Sequence, residues 1–426
     1  MVLSGGDPKR LAGTLDVTIP RSGKVSAKYA CNGGTVSFSS KSWNAKDLSA
    51  ADGTLTATLT PSKEGYALEV KAYSNGRVEA NVIDKAFKDQ ELTAKSIGTV
   101  WGSSASAKSW VGIYNGAIVP SGTPYYRGDG VYGAFTGEVV QPANEEFAAP
   151  IGYGYVSLKL TSKAASTGKM TWAGKLPNGQ AISGSAVLSK GVNNWVGRSG
   201  YAYLPIFRKL SADRVSIVTE IKANAAGDNG GNRSLLGCPD LSPVLPLGTW
   251  THKGDNGTGY SMDIHLMGGL YDATKSLKDC CTESSMNPTA MKLQIEVPEF
   301  AGYDRYAGRG KAQAIPVQTV SVGKNSISVT KATNKFKLSI DRATGILSGS
   351  LRLNYAVGGK TSYIDATWNG VLLTGWSAEC DCSEGEEIQM PFICGAFSFE
   401  DQVGKSSKDT ALSGGRIYSG AAFPAK

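Results

Sequence analysis

Apolar and polar residues alternate with a period of two through most of this chain, in runs of five to nine residues broken by Gly-bearing turns. The same strand–turn–strand phrase occurs three times. It runs from Gly13 to Lys28, from Tyr155 to Lys163 and on through Gly168 to Lys175, and from Phe336 to Ser350. Each copy closes its turn with Gly, continues into a second alternating run with small residues, and reaches a third strand after another Gly turn. Those third strands carry Val36 and Phe38, Ile182, and Tyr363 and Ile364. Repetition of an antiparallel meander predicts an all-β fold, closed into barrel-like or sandwich modules because open edges would aggregate, with at most one or two short helices.

Further alternating runs cover Leu55 to Leu59, Tyr66 to Val70 and Val78 to Val82, and Asn75-Gly76 between the last two is a strong hairpin signal. Helical spacing of Ala86, Phe87 and Leu92 suggests a short helix over Asp84 to Lys95, and Thr274 to Thr282 reads as a helical turn. A strand is expected from Ser109 to Gly116 and a final one within Arg416 to Phe423. The Gly/Asn/Asp-rich stretch from Ala223 suggests a linker. The predicted organisation is an N-terminal β module at 1–99, a middle module at 100–225, a linker-like loop at 226–243 and a C-terminal module at 244–426 with a cysteine-bearing loop at 378–394.

Composition sharpens this picture. The 426 residues include 53 Gly, 41% are hydrophobic and only 19% are charged, which excludes a disordered chain. The net charge of +8 is spread among Ser and Thr on outward strand positions such as Lys337, Arg342 and Arg352, a solvated face and not a phosphate track, so no nucleic-acid partner is expected. No run approaches the ~18 consecutive apolar residues of a membrane helix, and no transmembrane segment is expected.

Seven cysteines include the adjacent pair Cys280-Cys281 and the cluster Cys380, Cys382 and Cys394, with Cys31 and Cys238 alone. Clamping the acidic loop between Cys380 and Cys394 is a typical use of a disulfide. The preferred reading bonds Cys394 to Cys380 or Cys382 and one of Cys280 and Cys281 to Cys238. Free thiols come next, and a zinc site last, since three thiolates in C-x-C spacing fit zinc poorly. Disulfides imply an extracellular or cell-surface protein whose leader is absent from this sequence, because Met1 to Arg10 lack a signal-peptide pattern.

The third phrase, Leu338 to Ser350, with Trp368-Asn-Gly-Val-Leu-Leu-Thr-Gly375 and the closing Gly395-Ala-Phe397, resembles a recurring unit in the C-terminal β domains of large exported surface proteins of Verrucomicrobia, Kiritimatiellae and Lentisphaerae. The stretch Gly152 to Leu160, with Gly174 to Gln180 and Ser183-Gly-Ser185, is similar to its companion half. The resemblance implies a barrel or sandwich domain in an exported protein and transfers no catalytic residue.

Candidate chemistry is sparse. The two histidines are His252, in a turn after Trp250, and His265, on the same strand face as Asp263; no G-x-S-x-G nucleophile elbow accompanies them. Asp263, Glu220, Asp341, Asp365 and Glu296 are strand acids expected to face solvent, any two of which could pair in space for glycoside hydrolysis. Trp43, Trp101, Trp110 and Trp195 sit at polar strand ends as candidate sugar platforms, whereas Trp172 and Trp368 read as core. The loops 227–232 and 254–258 could offer oxygen ligands to calcium but lack EF-hand spacing, and turn chemistry is the better reading; no cofactor is expected. Arg127-Gly128-Asp129 carries little weight alone. These features suggest a non-catalytic structural or adhesive module, self-associating into an oligomer or filament, with a carbohydrate-binding or glycoside-hydrolysing protein as the alternative and glycans as its partner.

Overall fold

The computed structural model describes residues 2–4, 11–19, 24–31, 34–40, 54–73, 77–84, 91–95, 99–100, 107–126, 152–190, 201–222, 234–237, 248–252, 260–297, 309–357, 359–374, 392–402 and 410–420. The fold is all-β, and the described residues form three antiparallel sheets and one short α-helix.

The first sheet contains β1 (Val2–Ser4), β2 (Leu11–Thr18), β3 (Ser26–Cys31), β4 (Gly34–Ser39), β5 (Thr54–Pro61), β6 (Tyr66–Tyr73), β7 (Val78–Asp84) and β8 (Glu91–Lys95). Neighbours pair in chain order, and β1 returns to β8, closing a barrel without a free edge. Alternation makes the barrel: on β6, Leu68, Val70 and Ala72 point inward while Glu69 and Lys71 face water. The strands that flank Asn75-Gly76, β6 and β7, pair antiparallel as expected, with Tyr73 N donating to Arg77 O at 2.9 Å; Asn75-Gly76 itself lies outside the described residues. Among the described residues of the helix suggested over Asp84 to Lys95, none is helical. Asp84 ends β7 and Glu91–Lys95 is the strand that closes the barrel, because pairing with both β7 and β1 outweighs the local helical spacing.

The second sheet contains β9 (Thr99–Val100), β10 (Gly112–Tyr126), β11 (Gly154–Leu160), β12 (Lys169–Lys175), β13 (Ala181–Val187), β14 (Ser189–Lys190), β15 (Tyr201–Lys209), β16 (Asp213–Lys222), β17 (Ser234–Gly237), β18 (Gly248–His252) and β19 (Tyr260–Tyr271). Ala107–Trp110 is a 3-10 turn leading into β10. β13, at one end of this sheet, and β14, which pairs with β9 at the other, are separated in sequence only by Leu188, whose N–H donates to Gly168 O at 2.9 Å. One bent strand thus pairs with β12 through its first part and with β15 through its last, which curls the sheet into a barrel. β17 falls inside the stretch read as a linker and pairs with β16 and β19. The sheet boundary therefore lies between Tyr271 and Met291 and not at 226–243.

That boundary holds α1 (Leu277–Glu283), the predicted helical turn, which is capped by the Ser276 side chain accepting from Asp279 N. The third sheet contains β20 (Met291–Glu296), β21 (Arg309–Ala312), β22 (Gln318–Val322), β23 (Ile327–Lys331), β24 (Lys337–Asp341), β25 (Ile346–Val357), β26 (Lys360–Leu372), β27 (Ile393–Gln402) and β28 (Thr410–Ser419). Its order runs β21-β25-β26-β27-β28-β20-β22-β23, with β24 beside β25. The short link from β23 to β24 brings its ends together, and buried Gln318 holds that link by accepting from Thr333 N at 3.0 Å. Each of the three sequence phrases forms a three-stranded meander, β2-β3-β4, β11-β12-β13 and β24-β25-β26.

The two larger barrels share a packing device. Trp172 lies opposite Gly184 across β12 and β13, and Trp368 lies opposite Gly349 across β25 and β26. Each Gly sits between two serines, and each indole covers the space where a Cβ would be. Trp368 also donates its Nε1–H to Lys337 O at 2.9 Å and stacks on Phe336 with ring centroids 5.6 Å apart.

At Gly349 a Cβ would overlap both Lys337 O and the Trp368 indole. Gly349→Ala is expected to displace that indole, break its hydrogen bond and lower stability by about 1–3 kcal/mol in urea denaturation. A loss below about 0.5 kcal/mol, the range of an unremarkable surface change, would count against this packing account.

Candidate functional site

The second and third barrels are pressed together along a seam whose apolar part is Ala117, Val119, Tyr153, Tyr155, Met267, Val371, Leu373, Cys394 and Tyr418. On β10, Tyr114 and Ile118 belong to the barrel interior while Asn115, Ala117 and Val119 point the other way, into the seam. Period-two alternation thus splits one strand between two cores. Asn115 is fully buried, and its Nδ2 donates to Thr344 O at 2.8 Å and to Leu372 O at 3.3 Å, both on the third barrel. Thr374 Oγ1 donates back to Leu270 O at 2.9 Å, and Tyr271 Oη donates to Arg342 O at 2.7 Å.

At one end of the seam two buried tyrosines, Tyr153 and Tyr418, meet the partly exposed Arg416 and Glu296 in a polar group. Glu296, ending β20, accepts from Arg416 Nε at 2.5 Å and from the Tyr418 hydroxyl. Arg416 also donates through Nη1 to Tyr153 Oη at 3.2 Å, and its guanidinium carbon lies 5.5 Å and 5.7 Å from the Tyr153 and Tyr418 ring centroids. Burial, then the hydrogen bond to Glu296, pushes the Tyr418 phenol up to about 12.

A second group sits at the mouth of the second barrel. Asp213 opens β16 directly opposite His252 on β18 and is 2% exposed. Its Oδ1 accepts from Trp250 Nε1 at 2.8 Å and from Asn178 Nδ2 at 3.0 Å, and it lies 3.0 Å from His252 Nδ1. A carboxylate so placed orients an imidazole, but the hydrolase role needs a nucleophile as well. Concentrating neighbours on one oxygen ties the Asn178 turn, β16 and β18 together.

The structure redistributes the residues singled out in the sequence. Trp110, expected as a sugar platform, is buried in the core of the second barrel, where the 3-10 turn folds it inward, and its backbone oxygen accepts from Tyr114 Oη. Trp43, Trp101 and Trp195 lie outside the described residues, as do Arg127-Gly128-Asp129 and both calcium-type loops. Trp172 and Trp368 are core, as expected. Glu220, expected to face solvent, is buried. Asp341 stays exposed and accepts from Thr344 Oγ1 in its own turn, while Asp365 is held by Arg352. Asp341 is opposite Ile346 and Asp365 opposite Arg352, so these two acids are not brought together. His265 on β19 is partly buried opposite Val119. Among the described residues no group of three or more His, Cys, Asp or Glu is placed to hold a metal ion.

The cysteine expectations need correction. Cys280, Cys281 and Cys394 are free, buried thiols. Cys394 lies buried in the seam with its Sγ toward Val371 O and forms no disulfide there. Cys280 and Cys281 face the third core from α1, and burial raises both thiols, that of Cys281 to about 11. Cys238, Cys380 and Cys382 lie outside the described residues.

Sequence reasoning missed Asn115, Asp213 and Arg416, polar residues at strand positions that ordinarily face water, and Asn178, a polar residue in the turn between β12 and β13. One signal was present: Trp250 and His252, two apart on a strand, share a face and both reach Asp213. No family model, curated protein or solved structure matches the chain.

Tyr418 allows a pH test. Its folded value lies above the ordinary phenol value of 10.0, so its contribution to stability is complete below about pH 10 and is lost as pH rises to about 12. Stability of the unaltered chain should fall across that window more steeply than that of Tyr418→Phe. Parallel curves would show that this phenol is not perturbed.

Proposed function

We propose that the chain is a non-catalytic structural module of an exported bacterial surface protein, in which filled β-barrels are fused into a stiff unit. The observation that carries this reading is the seam. Asn115, Thr374 and Tyr271 make hydrogen bonds between the second and third barrels around an apolar patch, an arrangement suited to fixing their relative orientation. Side chains pack the three barrel interiors, and Asp213, the best-placed acid beside a histidine, accepts from Trp250 and Asn178 in holding strands together. The surface location rests on the family resemblance alone, since the three described thiols are unbridged.

Two arms test the proposal. Antibodies raised against the folded chain should label intact, unpermeabilised producing cells, and labelling only after permeabilisation would overturn the surface location. The purified chain should show no turnover on panels of ester and glycoside substrates. Turnover abolished by Asp213→Asn in a folded variant would overturn the non-catalytic half.

A further inference from the structure

The outward face of the β24-β25-β26 meander carries a group of side chains used neither by the seam nor by a barrel interior. Tyr363 on β26 is 55% exposed, the one aromatic among the large hydrophobic residues that stand out from the described surface. Arg352 on β25 lies opposite Asp365, two residues along β26 from Tyr363 on the same face. Asp365 grips the guanidinium with both oxygens, Oδ1 to Nε and Oδ2 to Nη2, each at 2.6 Å. The guanidinium carbon lies 3.6 Å from the centre of the Tyr363 ring. The Arg352 side chain is 19% exposed against 57% for Asp365. The guanidinium is thus packed against a ring that is itself more than half exposed to solvent.

A stack of this kind has specific chemical consequences. An exposed aromatic face on a polar sheet is matched by the C–H face of a sugar ring, which is apolar while its edges carry hydroxyls. The carboxylate beside it offers lone pairs that the two bonds to Arg352 do not use up, and hydroxyl donors fit them. Arg352 holds the Asp365 carboxyl below its ordinary range, so it stays an acceptor at neutral pH. The charges of Arg352 and Asp365 cancel. To reach this guanidinium a polyanion would have to displace Asp365, whereas an uncharged polymer meets no such barrier; the exposed Lys335 is the further cation near the pair, which is why an anionic polymer belongs in the test. Ring and guanidinium hold each other in place, which reduces the side-chain entropy that binding must remove.

We propose that Tyr363, Arg352 and Asp365 form a surface platform that binds a neutral polysaccharide, with Tyr363 stacking on a sugar ring and Asp365 accepting from its hydroxyls. The proposal goes beyond the structural reading and does not depend on it.

Native affinity electrophoresis tests it directly, run toward the cathode because the chain carries a net charge of +8. Gels contain hydroxyethyl cellulose, a soluble β-1,3-glucan or a mannan, with alginate as the anionic comparison. The unaltered chain should be retarded by at least one neutral polymer. Tyr363→Ala should weaken that retardation about 2- to 10-fold, the worth of one aromatic contact, while Tyr363→Phe keeps it. Tyr73→Ala, on the first barrel, serves as the control and should leave it unchanged. Absence of retardation by all three neutral polymers would overturn the proposal. So would retardation by alginate alone, or retardation that Tyr363→Ala leaves intact. Circular dichroism checks that the variants fold, and the unaltered and Phe chains still decide the question if the Ala chain does not.

Discussion

Two backbone carbonyls of the third barrel, those of Thr344 and Leu372, are met by one amide from the second barrel. An unpartnered buried acceptor costs about 1–3 kcal/mol, so the barrels can pack face to face only if something supplies donors at that point. Asn115 does so from a strand whose alternate residues are committed to the other side, into the second core. The apolar seam residues could slide over one another with small changes in contact area. The Asn115 amide allows one register.

The neighbouring strands show the same demand for close fit. On β10 and β19 the inward residues opposite each other are Gly116 and Gly268, flanked by Tyr114, Ile118 and Leu266 of the interior. On β26 and β27 they are Gly370 and Gly395, flanked by Trp368, Leu372, Ile393 and Phe397. A Cβ at Gly268 or Gly370 would run into a carbonyl of the facing strand. Each barrel thus places a bare Gly pair behind the strands that form the seam, which lets those strands bend tightly there. Packing against a partner and curvature within a barrel are solved on opposite faces of the same strands.

The fold class was legible because alternation and turn chemistry are local: Leu68 to Ala72, the Asn75-Gly76 hairpin and the three meander phrases need no knowledge of distant partners. Pairing overrode local preference where a barrel had to close, as at Glu91–Lys95. The boundary between the second and third sheets was misplaced because β17 is a short strand inside a Gly- and Asn-rich stretch, and only its partners β16 and β19 mark it as a strand. Site residues were the least legible. Trp110, Glu220 and Cys394 have residue types common on surfaces or in bridges, yet burial is a property of what packs over them. Asn115 carries no sequence signal, since its partners are backbone oxygens more than two hundred residues away.

The central claim is that the amide of Asn115 locks the second barrel to the third, and Asn115→Ala followed by urea denaturation with tryptophan fluorescence tests it most directly. Trp110, Trp172 and Trp250 report on the second barrel and Trp368 on the third. With its bonds to the part-buried Thr344 carbonyl and the buried Leu372 carbonyl lost, stability should fall by about 1–3 kcal/mol and a single transition should broaden or split. An unchanged midpoint with an unchanged slope would contradict the account.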